Sequence, residues 1–196
     1  METTRSLLDA HIDPLISHVI FKGAGPYLDD ERNSVVDKFL ELDDPTPDWL
    51  LFVDSDITFT LDNIRTLIPE DHTQRPIVSG VYLSSFKPEV GPVVYRYDTD
   101  PDDGLQKFIG VTMKDIYAAD RDSLGYIEVD AVGAGFLAIH RSMLIDMRQT
   151  FGTPYDGYAP QVIKAPFAEQ VVNNVALGED FTFCARAKHM NVPILI

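Results

Sequence analysis

The segment Trp49-Leu50-Leu51-Phe52-Val53-Asp54-Ser55-Asp56-Ile57-Thr58-Phe59-Thr60 runs five apolar residues straight into two acids. A short unbroken apolar run, rich in aromatic and branched side chains, predicts a fully buried strand. In extended backbone, residues two apart face the same side. Asp54 and Asp56 are therefore expected to aim two carboxylates at one point past the strand's carboxyl end, the edge where open α/β sheets bind ligands. Two carboxylates so close repel unless a cation lies between them or one takes up a proton. A hard divalent cation, Mg2+ or Mn2+, shared with substrate phosphates meets that need. The plainer alternative is a solvated turn that happens to carry two aspartates.

Outward from this strand, helix and strand patterns alternate. On the amino side, Thr4–Ile16 has helix-like apolar spacing broken by Pro14, and His18–Lys22 reads as a short strand closed by Gly23-Ala24-Gly25-Pro26. Asp29 and Asp30 offer N-caps for a helix with Val35, Val36, Phe39 and Leu40 on one face. On the carboxyl side, Thr60 can cap a helix with Leu61, Ile64, Leu67 and Ile68 inward and Pro69 just beyond. Strands are expected over Pro76–Leu83, Val90–Tyr97 and Ile127–Ile139, the last broken by Gly133-Ala134-Gly135, with short strands somewhere in 105–128. Ser142 can cap a helix carrying Met143, Leu144 and Met147. Residues 98–104 read as an acidic hairpin tip and 152–168 as a loop. Gly178-Glu179-Asp180 opens a last helix, and Ile194-Leu195-Ile196 starts a strand. This alternation predicts an α/β fold, a three-layer sandwich with a mixed, mostly parallel sheet, in one domain spanning 1–196.

Composition narrows the function. A formal charge of −15 over 196 residues disfavours a nucleic-acid surface, which needs clustered Lys and Arg. One cysteine, Cys184, rules out an intrachain disulfide and fits a reducing cytoplasm. No stretch approaches the roughly 18 apolar residues of a membrane span. Cys184 lies on an apolar helix face and reads as core. His140 and His189 read as packing or surface histidines.

Four segments together resemble the nucleotide-sugar glycosyltransferases of the GT-A fold, particularly family-2-like enzymes encoded by bacteriophages. Glu31-Arg32-Asn33 ahead of an amphipathic helix resembles their "ARN" segment. Trp49–Asp56 resembles their DxD strand. Val132-Gly133-Ala134-Gly135-Phe136 resembles their glycine-containing acceptor-side strand. Leu177-Gly178-Glu179-Asp180 resembles their "GED" helix start. The segments fall in the family's order and span roughly residues 30–196.

The resemblance implies a metal-dependent, inverting transfer from a nucleotide-diphosphate-sugar to an acceptor hydroxyl on a glycan, protein or modified nucleobase. Asp56 would contact Mn2+ or Mg2+ directly. Asp54 would reach the ribose, or the metal through water, with Ser55 between them in the donor site. Arg32 would pair with phosphate or support the donor pocket, with Asn33 beside it. Gly133, Ala134 and Gly135 would let backbone and sugar approach closely. Asp180 would be the base and Glu179 would hold the acceptor. Two departures stand out: the family's first strand is missing or very short before Thr4, and its later metal-binding histidine has no counterpart before Ile196. The expectation is either a domain shortened at one or both ends or a short variant whose third metal ligand is different.

Several of these residues also have purely structural readings. Glu179 and Asp180 are the acids a helix N-terminus favours, Gly133 and Gly135 could mark a bulge, Arg32 a structural ion pair, and Asn33 a cap or turn. Two rival functions share the pattern. Asp54-Ser55-Asp56-Ile57-Thr58 also fits the DxDxT motif of haloacid-dehalogenase-type phosphatases, although that motif normally opens its fold and here 53 residues precede it. A GT-A-like domain that binds without catalysis is the other.

Overall fold

The computed structural model describes residues 13–22, 27–43, 46–69, 71–84, 90–99, 104, 106–151, 166–167, 170–172 and 175–196. The acids of the quoted segment are placed by a five-stranded sheet built from β1 (Trp49–Val53), β2 (Ile77–Ser79), β7 (Glu128–Val129), β9 (Phe136–His140) and β12 (Ile194–Leu195), in the order β1-β9-β2-β12-β7. β9 lies antiparallel between β1 and β2, with Trp49 opposite His140 and Val53 opposite Phe136. The sheet is mixed, as expected. It is not mostly parallel: β12 and β2 form its one parallel pairing, and the other three are antiparallel. Gly133-Ala134-Gly135 turns the chain so that β9 runs back down between the two strands that approach the site.

Alternation splits the core in two. Leu50, Phe52, Ile77, Leu137, Ile139 and Ile194 face one cluster with α1 (Leu28–Leu40), α4 (Arg141–Phe151) and α5 (Glu179–His189). Val78, Phe136, Ala138 and Leu195 face the other, with Trp49, Leu51 and Val53 packed against it and α2 (Leu61–Leu67) supplying Ile64 and Leu67. Helices therefore cover both faces, because each strand sends successive side chains to opposite sides. β1 corrects the expectation of a fully buried strand. It ends the strand order among the described residues, and its burial alternates, with Leu50 and Phe52 buried and Trp49, Leu51 and Val53 half-buried.

Local signals account for most helix ends. Thr60 caps α2 in a reciprocal box with Asn63: the Asn63 amide donates to Thr60 Oγ1 at 3.3 Å and the Thr60 amide donates to Asn63 Oδ1 at 2.8 Å. Asp29 and Asp30 are not caps. They lie inside the first turn of α1 with Glu31, where the helix dipole favours acids, and Tyr27 precedes them without a side-chain cap bond. Ser142 lies inside α4, and its amide donates to His140 Nδ1 at 3.2 Å, so the imidazole caps that helix. Arg141 closes α1 by donating from Nη1 to the Phe39 carbonyl at 3.1 Å and from Nη2 to the Leu40 carbonyl at 2.6 Å. The last carbonyls of a helix lack intrahelical donors, and the Phe39 carbonyl also accepts from the Leu42 amide at 3.2 Å. Asn191, at φ 57°, takes the left-handed conformation that ends α5.

The remaining elements are smaller. β3 (Leu83–Ser84) pairs with β4 (Gly91–Pro92), β5 (Val94–Thr99) pairs with β6 (Gln106–Gly110) and β8 (Ala131–Val132), and β10 (Gln170–Val172) pairs with β11 (Val175–Leu177). Residues 18–22 form no strand, in contrast to the sequence expectation. Within 105–128, beside β6, lies the helix α3 (Met113–Ala118), capped by Thr112 with Asp115. Residues 4–12, 23–26 and 152–165 lie outside the described residues. No helix of the described residues is long and apolar enough to cross a membrane.

Candidate functional site

Arg32 is the centre of the site. It projects from α1 between the rings of Phe52 and Phe167, with its guanidinium carbon 5.9 Å from each centroid. Its side chain is only 6% exposed. Three carboxylates surround it: Asp180 Oδ1 lies 3.3 Å from Nη1, Asp54 Oδ1 3.7 Å from Nη2 and Glu179 Oε1 3.7 Å from Nε. A buried guanidinium needs such partners, since an unpaired charge in a core is costly. One cation facing three acids still leaves an excess of negative charge. Arg32 Nε and Nη1 and Asp180 Oδ1 are buried without a hydrogen-bond partner among the described residues. Arg32 thus works from behind the acids rather than from an open phosphate pocket.

Each acid arrives on a different element. Asp54 directly follows β1, and its amide donates to the Gly135 carbonyl at 2.9 Å, extending the β1–β9 ladder by one rung. The chain then turns, with the Ile57 amide donating to the Asp54 carbonyl at 3.0 Å. Ser55 and Asp56 sit in that turn, exposed. The same-side expectation for Asp54 and Asp56 is therefore not met, because the chain turns at Ser55 and Asp56 instead of continuing the strand past Asp54. Glu179 and Asp180 occupy the first turn of α5 behind Gly178. Asn33 is buried, and its Oδ1 accepts from the Phe167 amide at 3.0 Å. It anchors the ring that packs on Arg32 and has that internal partner where a donor-site role was expected.

The glycines make room for a tyrosine that the sequence reading passed over. A Cβ on Gly135 would stand 2.8 Å from Tyr82 Cζ and Oη and 3.1 Å from Asp54 Oδ2, and a Cβ on Gly133 would collide with Tyr82 Oη and with Val93. Neither glycine has positive φ, so the requirement is space and not backbone freedom. Tyr82 Oη accepts from the Gly135 amide at 3.0 Å. Burial raises the Tyr82 phenol well above its usual range, and the charges of Asp180 and Asp54 add to that. Its one sequence signal was an aromatic residue just past the end of β2.

Asp180 is pushed up to about 6, chiefly by burial and then by Glu179 and Asp54, against the pull of Arg32 and a backbone hydrogen bond from Ala134. The shift runs opposite to the one a helix N-terminus favours, although the acid stays mostly ionised at pH 7. Elsewhere, burial and the neighbouring His72 hold His140 below the ordinary imidazole range. The two rings stack at 3.9 Å, and Cys184 is fully buried. Both residues are packing elements, as read from the sequence. Among the described residues, no three His, Cys, Asp or Glu side chains are grouped as a metal site.

No protein-family model matches the chain. No curated protein matches it either. Among solved structures it is similar to A197 from STIV, at 19% identity and a TM-score of 0.51, over 98% of this chain and 72% of that one. At that identity the likeness concerns the α/β fold alone.

Proposed function

We propose that the chain is a glycosyltransferase of the GT-A type, moving a sugar from a nucleotide-diphosphate-sugar to an acceptor hydroxyl with inversion. The observation that carries this reading is the meeting of three of the resembling segments on one guanidinium: Asp54, Glu179 and Asp180 all lie within 3.7 Å of Arg32. The fourth segment supplies the Gly135 carbonyl that holds the Asp54 amide. A mixed sheet with helices on both faces and acids past the end of β1 accords with a GT-A sandwich.

In this reading Asp180 is the base. An acid at about 6 is mostly ionised at pH 7 yet basic enough to take a proton from a hydroxyl. The acceptor oxygen loses that proton to Asp180 and bonds to the anomeric carbon, while the bond from that carbon to the diphosphate breaks and the nucleoside diphosphate leaves. Glu179 borders the acceptor side, and Arg32 keeps the three acids from repelling one another. Asp54 and Asp56 would hold the cation. Both are hard oxygen donors, Asp56 is exposed with no ion pair among the described residues, and Asp54 has only its long contact to Arg32. When bound, Mn2+ or Mg2+ offsets charge on the leaving diphosphate.

Calorimetry tests the donor site. UDP or GDP is expected to bind with Mn2+ and to lose most affinity with EDTA or in Asp56→Asn. Equal binding with and without metal refutes the assignment, and binding without nucleotide-sugar turnover would leave a binding domain only. The phosphatase alternative draws no support from a strand order that sets an antiparallel strand beside β1.

A further inference from the structure

A cavity of about 350 Å3 opens beside the acid cluster, between α2 and the carboxyl ends of β2 and β12. That volume falls in the range of small-molecule sites. Ile57 and Thr58, which follow Asp56 directly, form one side. Tyr82 is a wall common to both sites, since it lines the cavity and its hydroxyl accepts from the Gly135 amide beside Asp54.

The lining has a definite chemistry. In a chain of formal charge −15, no side chain that lines this cavity carries a charge. Three of its five hydroxyls already donate to backbone carbonyls, while Tyr82 Oη accepts from the Gly135 amide. Tyr126 donates to the Thr66 carbonyl at 3.3 Å, Thr66 to the Asp62 carbonyl at 3.0 Å and Ser79 to the Phe136 carbonyl at 3.3 Å. A hydroxyl has one hydrogen and two lone pairs, so these three present lone pairs to a ligand. Asn63 is the complement: its Oδ1 is held by the Thr60 amide, which leaves the Nδ2 hydrogens for the cavity. Phe59 and Phe136, with centroids 5.6 Å apart and tilted by 33°, add electron-rich faces that suit polarised C–H groups.

We infer that this cavity binds a neutral, polyhydroxylated ring, a sugar or glycoside whose O–H groups donate to Thr66, Ser79 and Tyr126. An anion would meet lone pairs and no cationic lining side chain, and Arg75, whose guanidinium lies 5.7 Å from the Tyr126 ring, is already paired with Asp122 at 2.8 Å. That this ligand is the acceptor of the transfer rests on the glycosyltransferase reading, while its binding does not.

Ligand-observed saturation-transfer NMR, without metal or nucleotide, tests the inference. The probe is 4-nitrophenyl β-D-glucoside, and 4-nitrophenyl phosphate is the charged comparison with the same aryl group. Thr58→Trp and Val81→Trp add bulk from two sides of the cavity at solvent-facing positions, so either one serves if the other fails to fold. The glucoside is expected to bind wild type more tightly than the phosphate and to weaken at least about tenfold in each folded variant. No glucoside binding, equal binding in the variants, or preference for the phosphate overturns the inference. Mn2+–UDP titration of the same wild-type sample separates the two ideas: glucoside binding without nucleotide binding keeps this site and removes the transfer reading, and the converse removes this site alone.

Discussion

Replacing Asp180 with asparagine should slow transfer and strengthen the fold at once. Moving a carboxyl from 3.8 to about 6 corresponds to about 3 kcal/mol, at 1.36 kcal/mol per tenfold change in proton affinity. A quarter of the side chain is open to solvent, and screening reduces the figure to about 2 kcal/mol. Below about pH 4, folded and unfolded chains both hold the proton and the group is neutral to stability. Between about 4 and 6 the unfolded chain releases it while the folded chain keeps it, so folding weakens as pH rises and the full cost is present above 6. Asp180→Asn keeps the shape and the acceptor for the Ala134 amide but never ionises. Thermal melts of both proteins should coincide near pH 4 and separate at pH 7.5, with the variant melting about 4–8 °C higher. Its transfer rate should fall by about 10²–10⁴, and the wild-type rate should climb through pH 6 to a plateau. A variant no more stable than wild type at pH 7.5, or a gap that ignores pH, refutes the claim that burial among like charges governs this acid.

Two further substitutions probe the frame around the site. Gly135→Ala sets a methyl 2.8 Å from the Tyr82 ring and hydroxyl and should cost about 1–3 kcal/mol. In a double-mutant cycle with Tyr82→Ser the two costs should fall short of additive by about 1 kcal/mol, and strict additivity in urea titrations would show that the tyrosine is not what the glycine accommodates. Arg141→Ala removes the donors that close α1 and should lower stability by about 1.5–3 kcal/mol in urea titrations. Arg141→Lys should recover little of this, because an ammonium lacks the planar fork that reaches two carbonyls.

What the sequence by itself determined is local. The apolar run 49–53, the Thr60 helix cap, the alternation of strands and helices and the apolar faces of α1, α4 and α5 are each written within a few residues and appear where they were expected. The reciprocal boxes Thr60-x-x-Asn63 and Thr112-x-x-Asp115 are equally local, and the structure shows both at helix starts. What only the tertiary structure decided depends on residues far apart in the chain. The antiparallel insertion of β9 beside β1 is such a case, since periodicity identifies a strand but not its neighbour or direction. So is the seating of Tyr82 over Gly133 and Gly135, where the glycines mark missing volume but not what fills it. The gathering of Asp54, Glu179 and Asp180 on Arg32 joins three elements, and the raised proton affinity of Asp180 follows from it. A helix start by itself favours an ionised acid. Burial beside two other carboxylates reverses that preference, because desolvation and like charge outweigh a dipole whose reach is a single turn.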